Sequence, residues 1–200
     1  MFQSNFLEFF THITPVTVIA IWLPVAGYFF SSAVLNRLLT ASPGHIPAGF
    51  FSGLFLWTFT EYMLHRFLFH YPPKTERQRK IIFLFHGVHH AQPQVKSRLV
   101  MPPVISVPLA FVFYGLFHLV FAVWLNVPIW INPIMSGFIL GYLVYDLTHY
   151  ATHHFPMRYR FPKYLKRYHL KHHYKTIGQR FGVSSPLWDI VFGTKPQDNS

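Results

Sequence analysis

The chain has no cysteine, which excludes disulfides, thiolate metal sites and iron–sulfur clusters. Acidic residues are scarce: six Asp and Glu stand against seventeen Lys and Arg, and only 12% of the residues are charged. Charge is also missing in blocks. Residues 9–36, 38–60 and 99–145 contain no Asp, Glu, Lys or Arg. With 52% hydrophobic and 20% aromatic residues in 200 positions, the chain is too apolar for an ordinary soluble domain. No polar second domain has room to form, so residues 1–200 read as one unit.

A spanning helix needs roughly 20 mostly apolar residues. The first two uncharged blocks fit one span each, and the third fits two. Asn126, Pro128, Asn132 and Pro133 mark the turn between that last pair. The expected spans are 13–34, 46–64, 104–125 and 128–148. The N-terminus lacks a basic region and a small-residue cleavage site, so a removable signal peptide is not expected.

A net charge of +11 raises the question of nucleic acid, but the placement of the charges argues otherwise. Of the seventeen basic residues, Arg37 lies between the first two spans and the rest lie in 66–98 or 158–195. Two spans separate those segments, which places them on one side of the membrane. The positive-inside rule makes that side cytoplasmic. Basic loops that alternate with membrane spans do not build a nucleic-acid surface. The segment 156–168 mixes basic and aromatic residues and suits anionic headgroups or an acidic redox partner.

Ten of the fourteen histidines fall into four clusters: His65 and His70; His86, His89 and His90; His149 and His153; His169, His172 and His173. A metal ion takes about four to six protein ligands, so ten imidazoles point to two ions side by side. Helices are expected around 78–90 and 162–174. Positions i, i+3 and i+4 share a helix face, so each HxxHH can point one way. His149 and His153 also share a face. His65 and His70, five apart, diverge on a regular helix and converge only if the helix ends near 66–69. Imidazole suits iron, zinc, copper and nickel alike, so spacing does not choose the metal. His12, His45 and His118 are isolated and are not assigned to metal; His154 is an extra neighbour of His153.

Glu61 and Asp146 sit one helical turn before His65 and His149. An ionisable group at the end of an apolar span is a functional candidate. Each is expected to accept the free ring N–H of its neighbouring histidine, which fixes the tautomer and raises basicity. Each second span of a hairpin also carries a GxxxG, Gly49–Gly53 and Gly137–Gly141, which would let spans two and four pack closely.

Six segments together carry a family likeness: EYMLHRFLFH (61–70), FHGVHH (85–90), RLVMPP (98–103), GYLVYDLTHYATHH (141–154), YLKRYHLKHHYK (164–175) and FGVSSPLWDIVFGT (181–194). In these the chain resembles the fatty acid hydroxylase superfamily, and within it the fatty acid 2-hydroxylases that act on sphingolipid acyl chains. The resemblance covers about 61–200. It implies an all-α integral membrane protein. Four transmembrane helices would carry a cytoplasmic, histidine-rich helical cap made of 65–98 and 149–200. It implies a single hydroxylase domain, two iron ions on the ten clustered histidines, and O2 as co-substrate. Zinc can replace the iron in a purified form, but zinc has no redox chemistry. The implied reaction hydroxylates a fatty acyl chain, free or in ceramide, at the carbon next to the carbonyl. Tyr145 and Asp146 match a YDxxHY pattern with a functional role in the family.

Two departures stand out. Gln94 occupies a position where many relatives have Asp. Some relatives also carry a fused cytochrome b5 domain that is not found in these residues. Electrons are therefore expected from a separate donor: cytochrome b5, a ferredoxin or a reductase. The membrane would be endoplasmic reticulum in a eukaryote and the inner membrane in a bacterium. The same histidine cage suits a sterol-type oxidase or desaturase, or a carotenoid hydroxylase. A non-catalytic metal carrier is the alternative outside enzymes.

Overall fold

The computed structural model describes residues 12–37 and 44–196. Residues 1–11, on which the reading of the leader rests, and the loop 38–43 between the first two expected spans lie outside the described residues. Among the described residues every regular element is helical. The α-helices are α1 (Pro15–Arg37), α2 (His45–Met63), α3 (Glu76–Ile82), α4 (Val88–Ala91), α5 (Pro103–Phe117), α6 (Ile131–His154), α7 (Arg160–Tyr174) and α8 (Leu187–Val191). Wide π turns extend α2 (Leu64–Phe69), join α3 to α4 (Phe83–Gly87) and extend α5 (His118–Trp124). Thr75 starts α3 with a capping box: its hydroxyl accepts from the Gln78 amide at 3.2 Å, and the Gln78 side chain accepts from the Thr75 amide at 3.2 Å.

Among the described residues three helical segments are long and apolar enough to cross a membrane: Pro15–Asn36, Lys96–Trp124 and Pro128–His154. The helix expected at 46–64 forms as α2, but its 19 residues include His45, Thr58, Thr60 and Glu61, so length and apolarity alone do not mark it as a span. In the last span 67% of the apolar window is buried, against 22% and 17% in the other two, so α6 is the helix most enclosed by protein.

The chain divides into two compact units, each drawn from distant stretches of sequence. Among the described residues the apolar unit comprises 16–37, 44–57 and 102–143. Its tightest seam is the two GxxxG motifs meshed with each other. A Cβ on Gly49 would lie 2.8 Å from Pro133 Cγ, and one on Gly53 would lie 2.7 Å from the Phe138 amide nitrogen. Reciprocally, a Cβ on Gly137 would collide with the Phe50 carbonyl, and one on Gly141 would sit 2.5 Å from Trp57 Cβ. Absent side chains on both helices allow backbone contact, which is how small residues associate helices without a hydrophobic driving force. Two polar bonds tie α1 to its neighbours in this unit: Trp22 Nε1 donates to Ser106 Oγ of α5 at 3.2 Å, and Ser136 Oγ of α6 donates to the Ala26 carbonyl at 3.0 Å.

Among the described residues the histidine unit comprises 12–15, 58–101 and 144–196. Helix α7 is its clearest amphipathic element. Leu165, Tyr168, His169, His172 and His173 recur at helical spacing on its buried face, while Arg160, Lys163 and Arg167 are exposed. The chain after α7 returns to pack on the start of this unit. Trp188 Nε1 donates to Thr58 Oγ1 at 3.0 Å, and Tyr62 stacks on Phe192 with centroids 5.3 Å apart. Tyr62 and Thr194 share a hydroxyl hydrogen bond of 3.0 Å.

Candidate metal centre

The ten clustered histidines gather into two groups of five, all within the histidine unit. Group one is His65, His70, His86, His90 and His172. Group two is His89, His149, His153, His169 and His173. Within each group the candidate ligand atoms lie within 4.8 Å of one another. The groups adjoin where His90 stacks on His173, centroids 4.1 Å apart.

The π turn at Leu64–Phe69 explains how His65 and His70 meet. The helix ends at Phe69, within the expected 66–69 stretch, but not as a regular helix. It widens instead, and the His70 amide donates to the His65 carbonyl, five residues back, at 3.1 Å. Bonding of i to i+5 brings residues five apart onto one face, and such turns recur at functional sites. His70 Nε2 then lies 3.2 Å from His65 Nε2.

Each HxxHH serves both groups. His86 and His90 join group one while His89, between them, turns to group two; His169 and His173 join group two while His172 turns to group one. The middle histidine of each motif is the one exchanged. Residues i and i+4 lie almost in line along a helix, and i+3 is offset around it, which separates the middle ring from its neighbours.

The nitrogen geometry suits an ion. In group one Nε2 of His65 lies 3.1 Å from His86 Nε2, His86 3.0 Å from His90, and His172 3.0 Å from His70. In group two the His89–His173, His149–His89 and His169–His153 separations are each 2.9 Å, and His173–His169 is 3.0 Å. Nitrogens bound at about 2.0–2.1 Å and at right angles are about 2.9–3.0 Å apart; a tetrahedral arrangement would set them at about 3.3–3.4 Å. The observed separations, 2.9–3.2 Å, are short enough for the nitrogens of each group to hold one ion.

The tautomers agree. His65 Nδ1 bonds the Phe181 carbonyl, and His172 Nδ1 bonds the Gln179 carbonyl at 2.7 Å. A carbonyl only accepts, so each Nδ1 carries the proton and each Nε2 turns a lone pair inward. Converging lone pairs repel without a cation between them. Protons cannot substitute at neutral pH. Burial first, then neighbouring histidine charge, holds His65, His86, His89 and His169 well below the ordinary value. The same causes bring His70 and His90 down to about 3. The rings are therefore neutral near pH 7 and available as ligands without proton loss.

One carboxylate does not sit where the helix spacing suggests. Glu61, 3% exposed, does not take the ring N–H of His65. It accepts instead from the Val183 amide at 2.6 Å, the Ser184 amide at 2.8 Å and the Ser184 hydroxyl. Asp146 accepts from the Met101 amide at 3.1 and 3.2 Å, tying the 98–103 segment to the helix that bears His149. Tyr145 is buried and stacks on His149, centroids 5.8 Å apart. His45 packs edge-on against Trp130, and neither it nor His12, His118 or His154 belongs to a group. Sequence reasoning missed Asp189, fully buried, whose carboxylate accepts from two backbone amides beside the site. Its signal was available: it is one of six acids and stands inside an apolar segment.

The chain is similar to known proteins. A dihydroceramide fatty acyl 2-hydroxylase (FAH1) of Arabidopsis thaliana is 40% identical over 98% of this chain and 79% of its own length. The fatty acid 2-hydroxylase of Homo sapiens is 33% identical over 97% of this chain and 56% of its own. A solved structure of full-length scs7p, with only the hydroxylase domain visible, superposes with a TM-score of 0.87 at 40% identity, covering 98% of this chain and 72% of that one. The fatty acid hydroxylase family pattern matches residues 50–194, which include all ten grouped histidines, and the chain therefore belongs to the fatty acid hydroxylase family.

Proposed function

We propose that each histidine group holds one iron ion and that the chain hydroxylates fatty acyl chains of sphingolipids, or the corresponding free acids, at the 2-position. The observation that carries this reading is the pair of five-nitrogen groups in a chain 40% identical to a dihydroceramide fatty acyl 2-hydroxylase. The net reaction converts the CH2 next to the acyl carbonyl, O2, two electrons and two protons into CHOH and water. Bound iron would supply the redox chemistry and the O2 activation that imidazoles lack.

The chain's residues do the rest. Ten neutral imidazoles grip without adding negative charge. His65, His169 and His172 are 0–1% exposed, so water is kept from one side of each group. Asp146 and Tyr145 brace His149, the first through the Met101 amide and the second by ring contact. Glu61 acts through the loop it clamps. We assign all three as positioning residues.

Four spans are proposed: the three apolar segments and α2, whose glycines pack on α6 without intervening side chains. We read residues 1–200 as one hydroxylase domain, with the basic segments facing the cytoplasm. The membrane is the endoplasmic reticulum in a eukaryote and the inner membrane in a bacterium. The two electrons come from a separate acidic donor such as cytochrome b5, a ferredoxin or a reductase. Charge supports this docking. Among the described residues Glu61, Asp146 and Asp189 are buried and Glu76 is the exposed acid, whereas α7 exposes Arg160, Lys163 and Arg167 on the face opposite its histidines.

The test is mass spectrometry of lipids from a host expressing the chain, beside a His89→Ala control. New 2-hydroxy acyl species that vanish in the control are expected. Unmodified acyl lipids from iron-loaded protein with reductant and O2, or altered sterols or carotenoids instead, would overturn the assignment.

A further inference from the structure

We propose that Asp189 is a positioning residue which, through the loop 179–184, sets how tightly group one holds its metal while leaving group two untouched; this rests on the metal reading above.

The loop touches one group only. Its carbonyls at Gln179 and Phe181 take the Nδ1 protons of His172 and His65, two of the five ligands of group one. Among the described residues, the buried Nδ1 atoms of His89, His153 and His169 in group two have no hydrogen-bond partner. The two ions would therefore sit on unlike imidazoles: some anchored and made more basic by a carbonyl, others not.

Two buried carboxylates hold that loop through four consecutive amides. Asp189 takes Phe181 N–H at 2.8 Å on one oxygen and Gly182 N–H at 2.7 Å on the other. Glu61 takes the next two, those of Val183 and Ser184. Thr194 Oγ1 adds a third bond to Asp189 at 2.7 Å, and the Arg180 amide bonds the Thr194 carbonyl at 3.1 Å. Arg180 adopts a left-handed backbone, φ 62°, which turns the chain between the two anchoring carbonyls. Position 182 must be glycine, because a Cβ there would press within 2.9 Å of the Asp189 carboxylate and collide with the Ser185 carbonyl. Charge-assisted bonds of this kind are about twice as strong as neutral ones. In Asp189→Asn one acceptor oxygen becomes an NH2 that faces an amide N–H, so one side of the turn is released.

The experiment measures affinity for Zn(II) or Co(II) by chelator competition on the full chain in detergent. Wild type is expected to bind two ions, the one in group one more tightly. A His89→Ala background weakens group two and keeps group one intact; His172→Ala does the reverse. Adding Asp189→Asn is expected to weaken the tighter ion about 10- to 100-fold in the first background and to leave the tighter ion unchanged in the second. Glu61→Gln releases the neighbouring amides and is expected to give the same asymmetry, which keeps the test open should Asp189→Asn fail to fold. Equal weakening in both backgrounds, or no change in either, overturns the proposal while the metal reading stands. A wild-type chain that binds no ions overturns both.

Discussion

The exchange of one histidine between the motifs gives a prediction that sequence order alone would get wrong. His169 and His172 are neighbours on one helix yet belong to different groups, whereas His65 and His172 are far apart in sequence and share one. Structural zinc sites are worth about 10–16 kcal/mol; spread over the five imidazoles of a group, each contributes on the order of 2–3 kcal/mol. At 1.4 kcal/mol per decade, each loss weakens an ion about 30- to 150-fold. The variant His65→Ala/His172→Ala removes two ligands from one ion. That ion is expected to weaken by about three to four decades while the other keeps wild-type affinity. The variant His169→Ala/His172→Ala removes one ligand from each, and both ions are expected to weaken by about 30- to 150-fold. Titration with a graded series of chelators, read as ions retained per chain against wild type, separates one shifted step from two. Two shifted steps in the first variant, or one abolished and one intact ion in the second, would refute the partition.

Three further outcomes follow from the packing and the charges. Gly53→Ala places a methyl against the backbone of Ile134 and Phe138, and thermal unfolding in detergent is expected to show a loss of at least about 1–3 kcal/mol; Gly115→Ala, with nothing within 4 Å, is the neutral control. For metal-free protein, acid is destabilising. Folded His65, His86, His89 and His169 titrate below their ordinary 6.5, with His70 and His90 near 3. The unfolded chain therefore takes up protons first, so stability is full above about 6.5 and falls as pH drops toward about 3. Circular dichroism against pH checks this, and loading with metal is expected to move the midpoint lower. Finally, Lys163→Glu/Arg167→Glu is expected to slow reduction by an acidic protein donor and flatten its salt dependence, while reduction by dithionite is unchanged; slowing of both would count against docking on α7.

The grouped histidines were legible because imidazole spacing survives in the sequence whatever the fold does with it. All ten grouped histidines are the ten that the clusters pick out. Their partition was not legible. It depends on the π turns at 64–69 and 83–87, and a shift from i+4 to i+5 bonding leaves no mark in a hydrophobicity pattern. The carboxylates show the same limit. Glu61 stands one turn from His65, and local spacing suggests a direct bond, but the His65 proton goes to Phe181, 116 residues away. Glu61 and Asp189 reach the site through a loop whose position only tertiary contacts decide. The glycine seam was legible as two GxxxG motifs, and their meshing follows from where a side chain would collide. The helix α2 reads as a span by its place between charged segments more than by its own hydropathy.

The account stands on two ions, each gripped by five imidazoles drawn from both HxxHH motifs. Crystals of iron-loaded protein measured at the iron absorption edge test this directly. Two anomalous peaks are expected, one about 2.1 Å from Nε2 of His65, His70, His86, His90 and His172, the other at the same distance from Nε2 of His89, His149, His153, His169 and His173. A single peak, or peaks whose ligands follow sequence order with His172 beside His169 and His173, would contradict it.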